Sequence, residues 1–171
     1  MKTAIISSSL NPDSKGFIMC KAVEAELLDR GADVLFVDAR DYKLGPVFQK
    51  NKDNEKLSEQ LKDMDNFVFG MAVYDYSVND NLKMILDTCI DPKLENTLFG
   101  VVCAAGGDKS YLSTTHMTQI CMNEWRMMQL PRVIYGTGKD FDEKGIHSED
   151  LKDRIVKFAD EFYDVGSKLL K

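Results

Sequence analysis

A serine-rich segment, residues 7–16, carries the residue types that can surround a phosphate group. The hydroxyls of Ser9 and Ser14, the amide of Asn11 and the free N–H groups of a following helical turn are hydrogen-bond donors. The alternative is that the serines and the Asn-Pro pair form only a turn and a helix cap. We call this segment the phosphate loop. Its candidate binding residues are Ser9, Asn11, Ser14, Lys15 and Gly16.

Two tyrosines stand in a second segment, residues 70–80, which we call the tyrosine segment. Tyrosine rings are flat amphipathic surfaces on which a planar heterocycle can lie. The alternative is that both rings pack against neighbouring loop residues. Asn79 or Asp80 is expected to cap the helix that follows. The candidate ring-binding residues are Val73, Tyr74, Asp75, Tyr76 and Ser77.

A third segment, residues 104–111, contains Gly106 and Gly107 and is called the glycine loop. Glycine lets the backbone approach a ligand closely and exposes N–H donors, which suits a ring edge that gains negative charge on reduction. A hydrogen bond to such a charged group contributes about 1.5–3 kcal/mol, enough to shift a reduction potential. The alternative is an ordinary glycine turn.

Other phosphate motifs are missing from the sequence. No G-x-G-x-x-G follows the first apolar run, which disfavours a dinucleotide pyrophosphate site, and no G-x-x-x-x-G-K-[ST] indicates a nucleoside triphosphate. The first apolar run also does not end in the pair of acidic residues that a phosphoacceptor receiver domain needs. The fragment at residues 136–139, Gly-Thr-Gly-Lys, is interpreted as an exit turn after a strand.

Apolar periodicity predicts the elements that position these segments. The third helix is expected to end before Pro92, because the residue before proline avoids the helical conformation. The predicted strands are 2–7, 34–37, 67–71, 98–104 and 133–135, and the predicted helical stripes are 17–27, 57–64, 82–89, 117–128 and 151–169.

Alternation of strands and helices predicts an α/β fold with a parallel sheet, because each parallel connection needs a crossover helix. Five strands indicate a three-layer, doubly wound sandwich of flavodoxin-like order with a five-stranded parallel sheet. Ligands of such sheets bind beyond the carboxyl ends of the strands, so we expect the three segments to meet there. The polar connection at residues 38–55 is expected to be a functional or partner-facing loop.

Composition restricts the function classes further. A length of 171 residues predicts one domain, 1–171, and 22 basic against 28 acidic residues give a net charge of -6. This charge argues against nucleic acid and anionic membrane surfaces as partners. No apolar run approaches the roughly 18 residues of a membrane helix, so we expect a cytoplasmic protein. The scattered cysteines and two histidines predict buried thiols and no metal site.

Together the three segments resemble the NAD(P)H-dependent FMN reductase family of flavodoxin-like proteins. Residues 9–14 stand where that family has G-S-x-R-x-x-S, and residues 72–77, followed by Leu82-Lys83 and Asp87, look like its P-x-Y-N-x-S and L-K-x-x-x-D motifs. The resemblance covers the order of strands and loops from residue 2 to about residue 135.

This sequence departs from the family pattern at several positions. Asn11 replaces the family's arginine, Ala72 its proline and Asp75 its asparagine, and the glycine run is shortened. Lys15 is therefore expected to be the only cation near the phosphate. Asp75 is expected to oppose formation of an anionic reduced ring.

The resemblance implies an enzyme with FMN as cofactor and NAD(P)H as co-substrate, which passes hydride through the flavin to a flavin, quinone, azo compound or similar small acceptor. The cofactor performs the chemistry, so no catalytic acid or base is named. The resemblance also implies a homodimer or homotetramer whose partner subunit closes the flavin pocket, through residues 38–55 or the third helix. The alternatives are a flavodoxin-like FMN electron carrier without NAD(P)H turnover and a flavin-free interaction domain.

Overall fold

A twisted, mainly parallel sheet lies at the centre of the computed structural model, which describes residues 1–90, 94–95 and 97–170. The strands are β1 Lys2–Ser7, β2 Asp33–Asp38, β3 Asn66–Tyr74, β4 Ser77–Val78, β5 Leu98–Ala104, β6 Met128–Gln129, β7 Ile134–Gly136, β8 Phe141–Asp142 and β9 Gly145–Ile146. The helices are α1 Lys15–Asp29, α2 Lys52–Leu61, α3 Asp80–Cys89, α4 Thr115–Trp125 and α5 Glu149–Leu169.

The main sheet has the order β2-β1-β3-β5, followed by two short strands that share the far side of β5. β6 pairs with the start of β5 through Leu98 and Met128, and β7 pairs with its end through Val102 and Ile134. All of these pairings are parallel. The predicted flavodoxin-like fold is confirmed, although β4 and the divided outer position give the sheet 7 strands instead of five.

Two apolar layers cover the sheet, because successive strand residues point to opposite faces. Ala4 and Ile6 of β1 pack in the layer with α2, α3 and α4, whereas Ile5 packs in the layer with α1 and α5. A Cβ atom at Gly100 of β5 would lie within 2.3 Å of the Phe158 ring of α5. The absence of a side chain at this position therefore allows α5 to lie directly against the sheet.

The fourth helix is shorter than its apolar stripe predicts. α4 ends at Trp125, and Arg126 takes a left-handed conformation with φ 56°. Met128, predicted as part of the helical face, instead lies in β6, where its N–H donates to the Thr97 carbonyl at 2.8 Å. The pairing along β5 outweighs the helical spacing here, because it satisfies the carbonyl groups of Thr97 and Phe99, which accept from the N–H groups of Met128 and Leu130.

Other boundaries differ by smaller amounts. The second helix begins within the predicted 38–55 connection and ends before Met64, and residues Ala39–Asp41 of that connection form a short 3-10 helix. β3 continues to Tyr74, beyond the predicted end at Met71, and β7 is shifted by one residue. α3 ends at Cys89; Pro92, which was expected to stop it, lies outside the described residues. Among the described helices, none has the length and apolar character needed to cross a bilayer.

Candidate functional site

The carboxyl ends of β1, β3 and β5 lie side by side at one edge of the sheet. Ser7 pairs with Gly70, and Ala72 pairs with Ala104 in the next strand. Gly16, at the start of α1, reaches the same edge, because a Cβ atom there would lie 3.7 Å from the Ala104 Cβ. The phosphate loop, the tyrosine segment and the glycine loop therefore start from neighbouring strand ends.

The phosphate loop is folded by hydrogen bonds that use its side-chain oxygens as acceptors. Ser14 is the N-cap of α1, and its Oγ accepts from the Phe17 N–H at 3.1 Å. Ser9 Oγ accepts from the Asn11 N–H at 3.3 Å, and Asn11 Oδ1 accepts from the Asp13 N–H at 2.9 Å. The segment therefore does form a turn and a helix cap. These bonds use only the side-chain oxygens as acceptors, so the hydroxyl hydrogens and the amide NH2 remain free to donate to a ligand.

Free donors converge at the start of α1. Within the described chain, the O–H groups of Ser9 and Ser14 and the amide NH2 of Asn11 donate to no protein atom. The backbone N–H groups of Lys15 and Gly16 are likewise unpaired in that part of the chain. Neutral hydroxyl and amide donors beside a helix N-terminus are a donor set that suits a phosphate monoester.

Arg40 is a second cation at the phosphate loop, which corrects the expectation that Lys15 is the only one nearby. Its Nη1 donates to the Pro12 carbonyl at 3.3 Å, and its guanidinium lies 4.4 Å from the centre of the Phe17 ring. Arg40 lies two residues after β2, whose last residue, Asp38, pairs with Ser7 of β1, so the pairing of these strands brings Arg40 to the loop. Lys15 Nζ lies on the opposite side of the loop, 6.0 Å from the centre of the Phe141 ring.

Asp38 holds Arg40 in this place. Arg40 Nε and Nη2 both donate to the Asp38 carboxylate, at 2.9 and 2.6 Å. Burial alone would raise the pKa of Asp38, but the hydrogen bonds from the Arg40 side chain and backbone outweigh it and hold that pKa below its usual value. The pair is therefore ionised at neutral pH, and its charges largely cancel.

The tyrosine segment is a β-hairpin instead of a simple loop. Val73 pairs with Val78 and Tyr74 with Ser77. The two turn residues, Asp75 and Tyr76, have φ angles of 49° and 59°. Two successive positive φ angles characterise a type I′ turn, which normally takes Asn or Gly, so tyrosine is strained there.

Both tyrosine rings face solvent. Tyr74 is 54% exposed and Tyr76 is 63% exposed. The alternative in which the rings pack against loop neighbours is therefore not supported. Ser77, beyond the turn, contacts α4 through its Oγ, which lies 3.2 Å from Nδ1 of His116.

Asn79 links the phosphate loop to the hairpin. It occupies the N-cap position of α3 as predicted, but its side chain makes no capping hydrogen bond, and Asp80 Oδ1 instead accepts from the Asn81 N–H at 2.8 Å. The Asn79 amide turns inward, where Oδ1 accepts from Ser8 Oγ at 2.9 Å and from the Ala72 N–H at 3.1 Å. Sequence reasoning missed this role, because inward and capping orientations of an asparagine look identical in the sequence.

The glycine loop leaves open space at the same edge. A Cβ atom at Gly106 or Gly107 would meet no atom within 4 Å. The next residues, Asp108–Thr114, form a 3-10 helix. The loop is joined to β7, because the Tyr135 hydroxyl donates to the Gly107 carbonyl at 2.5 Å.

A cavity of about 630 Å³ joins the hairpin turn to the glycine loop. This volume lies within the usual range of cofactor pockets, about 300–1,000 Å³. Lys109 and Lys139 line it together with Asp75 and Asp108, so its lining carries two positive and two negative side chains. The lining residues are Val73, Asp75, Tyr76, Gly106, Gly107, Asp108, Lys109, Ser110 and Lys139.

The remaining candidates lie around this cavity. Tyr74 and Ser77 border a second cavity of about 590 Å³, which also touches Asp75 and is lined by His116 and Lys83. The phosphate-loop candidates border neither cavity and lie on the β1 side of the same edge. The donors of the phosphate loop and the open space at the glycine pair fit the phosphate and the ring of FMN respectively.

The cysteines take no part in this site. All four are buried and unpaired, as predicted from their scattered positions. Burial raises the pKa of Cys20, Cys103 and Cys121 to about 12, and nearby Asp38 adds to the effect at Cys20. These thiols are therefore unreactive at neutral pH. In the described ranges, no group of three acidic, histidine or cysteine side chains is arranged to hold a metal.

Known proteins share this fold and sequence pattern. The chain is 24% identical over 160 residues to an NAD(P)H-dependent FAD/FMN reductase of Geobacillus thermodenitrificans (strain NG80-2), covering 92% of this chain and 83% of the relative. The crystal structure of an apo NADH:FMN oxidoreductase matches with a TM-score of 0.79 and 15% identity, over 96% of this chain and 89% of that one. A flavodoxin from the domain Archaea matches with a TM-score of 0.65 and 15% identity, over 95% of this chain and 99% of that one.

A family model extends the agreement across the candidate site. The model described as NADPH-dependent FMN reductase matches residues 1–142, which include the phosphate loop, the hairpin and the glycine loop. The predicted resemblance, with its flavin cofactor and nicotinamide co-substrate, is thereby confirmed. The chain belongs to the NADPH-dependent FMN reductase family.

Proposed function

We propose that this chain binds FMN at the carboxyl edge of its sheet and passes hydride from NAD(P)H through the flavin to a small-molecule acceptor. The observation that carries this proposal is the cavity shared by the hairpin turn and the glycine loop, next to a loop rich in free donors. Family membership supports the cofactor and the reaction class. FMN supplies the redox chemistry when bound.

The phosphate loop holds the FMN phosphate in this proposal. Hydroxyls of Ser9 and Ser14 and the Asn11 amide donate to its oxygens, together with the N–H groups of Lys15 and Gly16. Arg40 sets the position of the loop through the Pro12 carbonyl. Hydrogen bonds to a charged phosphate are stronger than those between neutral groups, so neutral donors suffice where the family's arginine is replaced.

The hairpin and the glycine loop hold the ring. Val73, Asp75 and Tyr76 form one wall of the cavity, and Gly106 and Gly107 form the other. Tyr74 and Ser77 border the neighbouring cavity, where the nicotinamide or the acceptor is expected to enter. The positive charges of Lys109 and Lys139, which line the same cavity, offset the repulsion between Asp75 and a negatively charged ring.

The acceptor class is a flavin, a quinone, an azo compound or a similar small molecule. We further propose that residues 1–171 act as one domain in the cytoplasm and that copies assemble as a homodimer or homotetramer. The exposed side chains of Val47 and Phe48, 40% and 104% accessible, support a partner-facing role for residues 38–55.

A flavodoxin-like electron carrier is the second candidate. The net charge of -6 favours it, because an acidic surface can guide docking to a basic redox partner. Such a carrier binds FMN without accepting hydride from NADH or NADPH.

Spectroscopy of the purified protein tests the proposal. The protein is mixed with FMN, separated from free flavin by gel filtration, and titrated anaerobically with NADH and then NADPH. We expect flavin absorbance to elute with the protein and to be bleached by one of the two nucleotides. Absence of protein-bound flavin overturns the proposal, whereas bound flavin that only dithionite bleaches assigns the carrier function.

A further inference from the structure

The Tyr135 hydroxyl donates a hydrogen bond of 2.5 Å to the carbonyl oxygen of Gly107. This bond joins β7 to the glycine loop that lines the 630 Å³ cavity. We propose that Tyr135 is a positioning residue that holds the glycine loop in the conformation that receives the edge of the flavin ring. The inference rests on the proposed FMN site.

The glycine loop needs a contact from outside to keep one conformation. Gly106 and Gly107 have no side chains, and their backbone N–H groups make no hydrogen bond within the described chain. Glycine has more backbone freedom than any other residue, so an unsupported pair populates many conformations. A ligand that binds such a loop loses affinity to the cost of ordering it.

Tyr135 is itself fixed by its strand. It pairs with Cys103 of β5, and the following residue, Gly136, accepts from the Ala105 N–H at 3.0 Å. Its ring packs edge-on against Tyr111, with centroids 5.3 Å apart. Burial raises the pKa of Tyr135, and nearby Cys103 adds to this, so the hydroxyl keeps its proton and remains a donor.

An ion pair between the glycine loop and the turn that follows β7 is a weaker contact. Lys139 Nζ lies 3.2 Å from Asp108 Oδ2, but these side chains are 81% and 73% exposed. Ion pairs in such positions contribute little, because water screens them and both side chains lose freedom. Of these two contacts, the half-buried tyrosine bond is therefore the one that holds the glycine pair more firmly.

Removal of the Tyr135 hydroxyl should weaken binding of the ring and leave the phosphate contacts intact. We expect Tyr135→Phe to raise the dissociation constants of FMN and of riboflavin by the same factor, about three- to tenfold. Flavin fluorescence quenching measures both constants. The loss of affinity should be larger for reduced flavin, which is charged at the ring edge. If the dissociation constant of reduced flavin rises threefold more than that of oxidised flavin, the midpoint potential of the bound flavin falls by about 14 mV.

Tyr111→Phe is the matched control, because it also removes a phenol hydroxyl, from the ring that contacts Tyr135. Tyr111 donates to no residue that the structure describes and borders neither site cavity. We expect less than a twofold change in either dissociation constant. Equal losses in both variants, or wild-type affinity in Tyr135→Phe, overturn the inference.

Hydrogen exchange separates local loosening from damage to the fold. In flavin-free Tyr135→Phe, faster exchange should be confined to peptides that cover residues 104–111. Faster exchange throughout the chain contradicts the positioning role. Failure of the wild-type protein to bind FMN removes the proposed function, whereas wild-type binding with no change in Tyr135→Phe removes only this inference.

Discussion

The Asn79 side chain exchanges two hydrogen bonds with Ser8, which lies 71 residues earlier in the sequence. Ser8 Oγ donates to Asn79 Oδ1 at 2.9 Å, and Asn79 Nδ2 donates to the Ser8 carbonyl at 3.2 Å. Asn79 Oδ1 also accepts from the Ala72 N–H. One buried amide thus connects the phosphate-binding and ring-binding sides of the proposed FMN site.

Asn79→Ala should destabilise the protein and weaken FMN binding together. The substitution removes the Asn79 partner of the buried Ser8 carbonyl and of the half-buried Ala72 N–H, which costs about 2–3 kcal/mol. Urea denaturation of the flavin-free protein measures this loss. Asn81→Ala is the control, because Asn81 lies on the same helix and its side chain makes no hydrogen bond in the described chain. A control that is destabilised as much as Asn79→Ala contradicts the bridging role.

Ser14→Ala tests the phosphate loop by comparing FMN with riboflavin. The hydroxyl caps α1, so its loss should lower the free energy of unfolding by about 1 kcal/mol. It also removes one proposed phosphate donor, so we expect FMN affinity to fall about tenfold while riboflavin affinity stays within twofold of wild type. Flavin fluorescence titrations measure both.

Ser148→Ala provides the matched control for Ser14→Ala. Ser148 caps α5 through the same type of bond, in which its Oγ accepts from the Leu151 N–H at 3.3 Å. The control should lose similar stability and retain full FMN affinity. If both variants lose FMN affinity equally, the effect comes from stability and Ser14 does not bind phosphate.

Long apolar runs made the central strands predictable. Residues 2–7 and 98–104 have the same bounds in the structure as in the sequence analysis, because strands buried on both faces are apolar at nearly every position. The order of the loops along the sheet edge followed from the same alternation of elements. These features depend on local sequence, which is why pattern reasoning finds them.

Features that depend on tertiary contacts were not predictable. The hairpin turn at Asp75 and Tyr76 lacks the Asn-Gly or Gly signal of a type I′ turn, so only its pairing reveals it. Arg40 lies 28 residues from Pro12 in the sequence. Its approach depends on how β2 pairs with β1, and therefore on the assembled sheet.

Arg40→Ala should change how stability depends on pH. The pKa of Asp38 is lower in the folded protein than its usual value of 3.8, so the pair stabilises the fold above that pH. This contribution is lost as pH falls through the lower folded pKa and Asp38 becomes protonated. Without Arg40, the variant should be less stable at pH 7 by up to about 1 kcal/mol and should lose less stability on acidification. Urea denaturation from pH 3 to pH 7 measures both effects.

Arg132→Ala is the control for Arg40→Ala. Arg132 makes a similar two-bond contact with Glu161, at 2.9 and 2.6 Å, and its side chain is as exposed as that of Arg40. It has no contact with the phosphate loop in the described chain. We expect a two- to fivefold loss of FMN affinity, roughly 0.5–1 kcal/mol, only in Arg40→Ala. Equal losses in the two variants contradict the placement of Arg40 at the site.

Tyr76→Gly should stabilise the flavin-free protein and weaken FMN binding. Tyr76 holds a left-handed backbone that costs an L-residue about 1–2 kcal/mol, whereas glycine adopts it freely but loses more entropy on folding. The net gain should be about 0.5–1 kcal/mol in the free energy of unfolding, measured with urea. The same variant loses the exposed ring that borders the cavity, so FMN affinity should fall several-fold.

Arg126→Gly separates these two effects, because Arg126 has nearly the same φ angle, 56° against 59°, and borders neither site cavity. It should gain similar stability and bind FMN as the wild type does. This contrast would mean that the strained turn is kept for the tyrosine ring, at a cost to stability. Unchanged FMN affinity in Tyr76→Gly would instead mean that the ring does not contact the flavin, and the hairpin wall of the cavity would then consist of Val73 and Asp75.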